Sequence, residues 1–290
     1  MMHLQFVPVH PVFAAEASAI DLRVVFDEST LTSIRKALDH YAVIVFRDQK
    51  MSNEEHLDFT QRLDGKLHTQ TSLSVLTKNR FGNEAISDVA NVDEKGQLMA
   101  ADDRRRMGNV GNRLWHTDAS FVDPPGRYSL LLGKVIPPVR ADTEFVDMRE
   151  AYDTLDPVVR ESLEGLRVHH SIIHSRRLLG FEFSQAEQDR LKGATHPLVR
   201  TVGTSGRRAL YLASHASHII DWQLPEGRLL LRDLMEHATR EHFIYRHIWR
   251  PDDLVIWDNR ATMHRARPFA DMTHRRELRR TTTLDITQTA

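Results

Sequence analysis

Between Phe243 and Leu284 the chain reads almost wholly as short strands, and no other stretch constrains the fold as strongly. Phe243, Tyr245, His247 and Trp249 alternate with Ile244, Arg246 and Ile248, the period of two that gives a strand two different faces. The polar turn Pro251-Asp252-Asp253 leads into Leu254 to Trp257, and Arg276, Leu278, Arg280, Thr282 and Leu284 mark a last strand. Earlier strands are expected at Ala42 to Phe46, at Tyr128 to Val135 before the breaker Pro137-Pro138, and at Thr143 to Val146. Helices are expected over Ser29 to Tyr41 and from Ser52, where Ser52 and Glu55 have capping-box spacing and Leu57 and Leu63 point inward. Further helices follow Asp156-Pro157, follow Ser184 with Glu187, and span Glu226 to Thr239. Short antiparallel strands with helices inserted early and late predict a mainly β chain with added helices, a jelly-roll or cupin-like barrel. A dinucleotide-binding fold is not expected, because no Gly-x-Gly-x-x-Gly follows a strand, and there is no P-loop.

Residues 67–113 are polar and weakly patterned, with Lys78, Asn79, Arg80 and Gly82 clustered, and read as a long excursion containing a lid. With no repeat and no Pro/Gly/Ser linker, residues 1–290 are expected to form a single domain. Met1 to Ala19 reads as an irregular first strand rather than a leader: it has no Lys or Arg, and Pro8, His10 and Pro11 break it, so a cytoplasmic protein is expected. No apolar run approaches the roughly 20 residues that span a bilayer. The 39 Lys plus Arg balance 40 Asp plus Glu, which argues against nucleic acid as a partner. Cysteine is absent, excluding disulfides, thiolate metal sites and cysteine nucleophiles; any metal must be held by carboxylates and some of the 17 His. The apolar helical segment Leu229 to Met235 would pack on the barrel or on another subunit of a homo-oligomer.

Two His-x-Asp pairs occur, His56/Asp58 and His116/Asp118. The first lies in an expected helix, where i and i+2 point to different faces, so those residues belong on its surface or edge. The second follows Leu114-Trp115 in an extended context, where i and i+2 point the same way and both reach one ion. A third ligand from a distant strand completes two histidines and one carboxylate on one face of an octahedral metal, leaving three positions open. His264, after the turn Asp258-Asn259-Arg260, is the first choice for it; His247 is the alternative, although its register with Tyr245 and Trp249 suits a packed face.

Trp115-His116-Thr117-Asp118, Asp142-Thr143, Trp257-Asp258-Asn259-Arg260 to His264, and Arg275-Arg276 with Arg280 together resemble the taurine/2,4-dichlorophenoxyacetate dioxygenase family. Asp142-Thr143-Glu144-Phe145, Asp147-Met148-Arg149 and Arg276-Glu277-Leu278-Arg279-Arg280 are most similar to its aryloxyacetate branch. The resemblance implies a double-stranded β-helix and an Fe(II)- and 2-oxoglutarate-dependent oxygenase, consuming O₂ and releasing succinate and CO₂ as a substrate C–H is hydroxylated. On an aryloxyacetate-type acid the product is a hemiacetal whose collapse cleaves the ether. It further implies His116, Asp118 and His264 as iron ligands, with Thr143 and Arg276 on the carboxylates of 2-oxoglutarate. Arg280 would lie near its other end or near the substrate's anionic group, and Asn112 on the substrate side. One extra residue between His264 and the Arg pair makes Arg275 and Arg279 the shifted alternatives. The far carboxylate of 2-oxoglutarate calls for an always-charged planar fork, which Lys does not provide. The expected partner is a small anionic molecule: an aryloxyacetate, a sulfonate or another organic acid. A zinc hydrolase on the same ligands lacks an obvious general-base Glu, and an idle cupin-like binding protein would have no need of both the triad and the arginines.

Overall fold

The computed structural model describes residues 4–71 and 80–286. The chain opens with a short hairpin, β1 (Phe6–Pro8) and β2 (Ala15–Ala17), then α1 (Glu28–Tyr41), β3 (Val43–Phe46), α2 (Asn53–Asp64), β4 (Ser87–Ala90) and α3 (Arg104–Val110). Next come β5 (Gly126–Val135), β6 (Thr143–Asp147), α4 (Met148–Asp153), α5 (Pro157–Ser162), β7 (Arg167–His170), α6 (Ile172–Arg177) and α7 (Gln185–Arg190). The remainder is β8 (Ala194–Pro197), β9 (Val199–Val202), β10 (Arg207–Leu210), β11 (Ala216–Ile219), α8 (Leu224–Ala238), β12 (Ile244–His247), β13 (Leu254–Asp258), β14 (Thr262–Ala266) and β15 (Glu277–Leu284).

A seven-stranded sheet in the order β1-β2-β3-β13-β5-β15-β4 packs against a three-stranded sheet in the order β12-β6-β14. Strand parity builds the layers. Val43, Val45, Val255, Trp257, Leu131 and Leu278 face Phe145, Tyr245 and Trp249 of the small sheet. The alternate residues Ile44, Phe46, Leu254, Ile256, Leu130 and Leu132 face outward and are covered by Leu31, Ile34 and Leu38 of α1 with Phe59 and Leu63 of α2. The large sheet is therefore buried on both sides, which explains its near-continuous apolar runs. Two smaller sheets, β11-β7-β8 and β10-β9, contribute with α4 and α8 to a second core around Val168, Leu210, Leu231 and Leu234.

A local device recurs four times: in Asp-x-Arg, the Asp side chain accepts the backbone N–H and Nε–H of the Arg two residues on. It occurs at Asp21/Arg23, Asp103/Arg105, Asp147/Arg149 and Asp258/Arg260. At Asp147 it also caps α4, and the fully buried Arg149 reaches on to the carbonyls of Asp39 and His40, satisfying the end of α1.

Four expectations change. The first segment is two paired strands rather than one. The excursion is not free of core structure: β4 pairs with β15 at the edge of the large sheet, and α3 carries Arg104, Arg105 and Arg106, bonded to Glu187, Asp103 and Asp271. Its Lys78 and Asn79 lie outside the described residues. His56 is buried rather than on the helix surface, with Nε2 3.1 Å from Thr281 Oγ1, because the inner face of α2 is His56, Phe59, Thr60 and Leu63; Leu57 is only half-buried. Strands β7 to β11 escaped the sequence reading, since each is four residues long and mixes His, Arg and Thr with small residues. No helix among the described residues is long and apolar enough to cross a membrane.

Burial pushes the His56 imidazole down to about 3 from its ordinary 6.5. The unfolded chain takes up this proton near 6.5 and the folded chain only near 3, so the stability from a neutral His56 is complete above 6.5 and is lost as pH falls through that window. Urea unfolding of His56→Gln is expected to show about 2 kcal/mol less loss of stability between pH 7 and pH 5 than the parent chain.

Candidate active site

The centre is set by a backbone pairing. His116 N–H donates to the His264 carbonyl at 3.0 Å and His264 N–H to the His116 carbonyl at 2.8 Å, an isolated antiparallel bridge beside β14. Residues that exchange both bonds project side chains from the same face, and the two rings lie 4.2 Å apart. Asp118, two residues beyond His116, joins them: its Oδ1 is 3.8 Å from His116 Nε2 and its Oδ2 is 3.8 Å from His264 Nε2. One donor atom from each residue lies within 4.8 Å of the others, and all three side chains are buried. Among the described residues this is the one such cluster of His, Asp or Glu.

Burial holds His116 at about 4, and burial with the neighbouring His116 ring holds His264 well below the ordinary range, so both imidazoles are neutral near pH 7. His116 Nδ1 lies 2.8 Å from the Leu114 carbonyl, which only accepts; the ring proton therefore sits on Nδ1 and the Nε2 lone pair faces Asp118. Nothing in this donor set is a thiolate. Two neutral imidazoles and one carboxylate suit Fe(II) or another first-row divalent ion with open positions.

Asn259 anchors the carboxylate from behind. Its Oδ1 accepts from Asp118 N–H at 3.1 Å and Trp257 Nε1–H at 2.9 Å, and its Nδ2 donates to Ser129 Oγ at 2.9 Å. Ser129 Oγ in turn donates to Asp118 Oδ2 at 2.8 Å, while Arg280 Nη1 donates to Asp118 Oδ1.

Thr143, Arg276, Arg280 and Asn112 line, with both histidines, one cavity of about 330 Å³. Trp249 Nε1–H donates to Thr143 Oγ1 at 3.0 Å, leaving the threonine hydroxyl proton for an incoming acceptor. Arg276 is 6% exposed and forms no ion pair among the described residues; there its side chain donates only to the Ala141 carbonyl, and its Nε is unpartnered. Burial lowers it to about 10, as for a cation still lacking its anion. Arg275 and Arg279, the shifted alternatives, fall on the other face: Arg275 pairs with Glu277, and Arg279 bonds Asn53 and lies over Phe81. Parity decides this, because Arg276, Leu278 and Arg280 share the side of β15 that faces the small sheet. His247 is not brought to the centre; it is buried against Asp253, with Nε2 3.1 Å from Oδ2. Ser129, Asn259 and His215, whose ring stands edge-on to His116 at 6.2 Å, were beyond the reach of spacing arguments. Their partners are remote in sequence; only the polar character of Ser129 within the apolar run of β5 hinted at a role.

The sequence model of the family described as "Taurine catabolism dioxygenase TauD, TfdA family" matches residues 5–282. The chain is 43% identical over 279 residues to the alpha-ketoglutarate-dependent 2,4-dichlorophenoxyacetate dioxygenase of Cupriavidus pinatubonensis, covering 96% of each chain. It is 30% identical to the (S)-phenoxypropionate/alpha-ketoglutarate-dioxygenase of Sphingobium herbicidovorans, covering 93% of this chain and 91% of that protein. The crystal structure of AAD-2 in complex with Mn(II) and N-oxalylglycine superposes with a TM-score of 0.90 at 38% identity, covering 100% of this chain and 99% of that one. With the match running through both sheets and through His116, Asp118 and His264, the chain belongs to the TauD/TfdA dioxygenase family.

Proposed function

We propose that this chain is an Fe(II)- and 2-oxoglutarate-dependent dioxygenase that hydroxylates a small aryloxyacetate-type acid. The single observation that carries the reading is the buried His116–Asp118–His264 cluster sharing one cavity with Thr143 and the unpaired Arg276. The 2,4-dichlorophenoxyacetate dioxygenase relatives support the substrate class. The two facing sheets are read as the halves of a double-stranded β-helix, residues 1–290 as a single domain, and part of the excursion, α3 with the turns on either side of it, as the rim and lid of its mouth.

His116, Asp118 and His264 would hold Fe(II), which when bound supplies the O₂-dependent oxidation. The Arg276 fork and the Thr143 hydroxyl bind and orient the distal carboxylate of 2-oxoglutarate, so that its keto-acid end points toward the three ligands. Arg280, tied to Asp118 and with its Nε unpartnered, serves the 1-carboxylate end. Asn112 lies at the substrate side of the cavity. Trp257 and Leu131 on its wall exclude water from the reacting carbon. Overall, 2-oxoglutarate, O₂ and a C–H become succinate, CO₂ and C–OH. Next to an ether oxygen that alcohol is a hemiacetal, and it collapses to a phenol and an oxoacid.

Anaerobic loading with Fe(II) and 2-oxoglutarate is expected to give a weak visible charge-transfer band, abolished in His116→Ala. Succinate should rise on admitting O₂ with phenoxyacetates. In Arg276→Ala the KM for 2-oxoglutarate should rise about 100-fold, the loss of a charge-assisted fork. No band and no succinate from folded, iron-loaded protein would reject the reading; succinate only with sulfonates would replace the substrate class. Asn259→Ala, which frees Asp118 and Ser129 together, is expected to weaken Fe(II) binding about 10- to 100-fold in a competition titration, with the fold retained by circular dichroism.

A further inference from the structure

Arg176 stands on α6, outside every motif used above, and is 5% exposed. Its guanidinium lies against Gly111: a Cβ there would meet Cζ at 2.2 Å and Nε at 2.3 Å, so only glycine admits it. The next residue, Asn112, lines the cavity with His116. Among the described residues the one side-chain hydrogen bond of Arg176 runs from Nη1 to Ser175 Oγ at 3.3 Å, and its Nε has no acceptor. No carboxylate pairs with it among the described residues, and the segments outside them contain no Asp or Glu.

A buried guanidinium without a counter-ion is strongly destabilising, and folds keep such a charge where an anion arrives to meet it. Burial lowers Arg176 to about 10 with no carboxylate opposing the shift, whereas Arg276, lowered as far, still feels Asp142. Arg176 lies behind Gly111, the neighbour of the cavity-lining Asn112, and its charge acts on the His116 and His215 rings. Ser175 holds His215 Nδ1 at 2.9 Å, and that ring stands edge-on to both His116 and Phe121. Ile173 and Phe183, from the same stretch of chain, join Phe121 in an apolar cluster. A fixed cation and an imidazole bordered by aromatic and aliphatic surface suit an acid group carried on a ring.

We propose that Arg176 binds the carboxylate of the organic substrate, and that Gly111 is required to let the guanidinium reach it. The assignment rests on the dioxygenase reading above and places the substrate's carboxylate on an arginine other than Arg276 and Arg280, which serve 2-oxoglutarate.

The test uses the full chain as wild type, Arg176→Met and Gly111→Ala. Three quantities are read: KM for phenoxyacetate and for 2-oxoglutarate, calorimetric binding of phenoxyacetate and its neutral amide, and Tm without ligands. In Arg176→Met the KM for phenoxyacetate should rise about 100-fold while that for 2-oxoglutarate stays within about threefold. The preference for acid over amide should vanish, and Tm should hold or rise, because removing an unpaired buried charge relieves the fold. Gly111→Ala should move affinity in the same direction by displacing the guanidinium. Unchanged phenoxyacetate affinity in Arg176→Met would overturn the proposal, as would a fall in Tm with both KM values shifted together, which marks a structural role. If wild type makes no succinate, the dioxygenase reading fails separately, and calorimetry still decides whether Arg176 selects the carboxylate.

Discussion

Everything at the centre of this molecule depends on the reciprocal backbone pairing of His116 with His264. Residues 148 positions apart in sequence are locked at one rung of a ladder, so their side chains cannot separate without breaking two buried hydrogen bonds. Asp118 then needs only the two-residue period of an extended chain to join them. Asn259, Ser129 and Trp257 fix what that period leaves free, namely the rotation of the carboxylate. The pairing ties the connecting segment that carries His116 and Asp118 to β14, which carries His264, so the three side chains keep their relative positions.

Charge is distributed around this frame with little waste. Asp147, Asp253, Asp258 and Glu144, all buried, have arginine partners, and Asp118 has Arg280. Arg276 and Arg176 are buried cations that form no ion pair among the described residues, although Arg276 feels the charge of Asp142. Arg276 lines the cavity, Arg176 lies behind Gly111 next to the cavity-lining Asn112, and both are shielded from water. Unsatisfied positive charge in a low-dielectric wall makes the field there favour dianions and monoanions over neutral molecules of the same shape.

The sequence was legible where a residue's role depends on its immediate neighbours. The parity of Arg276 and Arg280, the His-x-Asp period, the capping boxes at Ser52 and Ser184 and the Pro157 start of α5 all depend on backbone periodicity or local capping, and the structure reproduces each. His264, which follows a turn in the sequence, lies beside His116 and Asp118 while His247 does not, and the antiparallel bridge is the physical reason. What stayed hidden depends on non-local pairing. β4 lies in a polar stretch and is a strand only because β15 offers it an edge. His56 looked like a surface residue because a helix-face assignment needs to know which side the sheet is on. Arg176 carries no motif at all: its meaning comes from what it fails to touch.

The register of β15 is measured from β5 and β4, which pair with it along its length, and not from His264. The segment 267–275 between them is largely exposed and adds only edge contacts, such as the Asp271 pairs with Arg106 and Arg113. Residues gained or lost there alter the length of a connection while the arginine face stays where the ladder puts it. The connection is thus a place where descendants of one ancestral enzyme can vary in length and reshape the cavity's rim without retuning the grip on the cosubstrate.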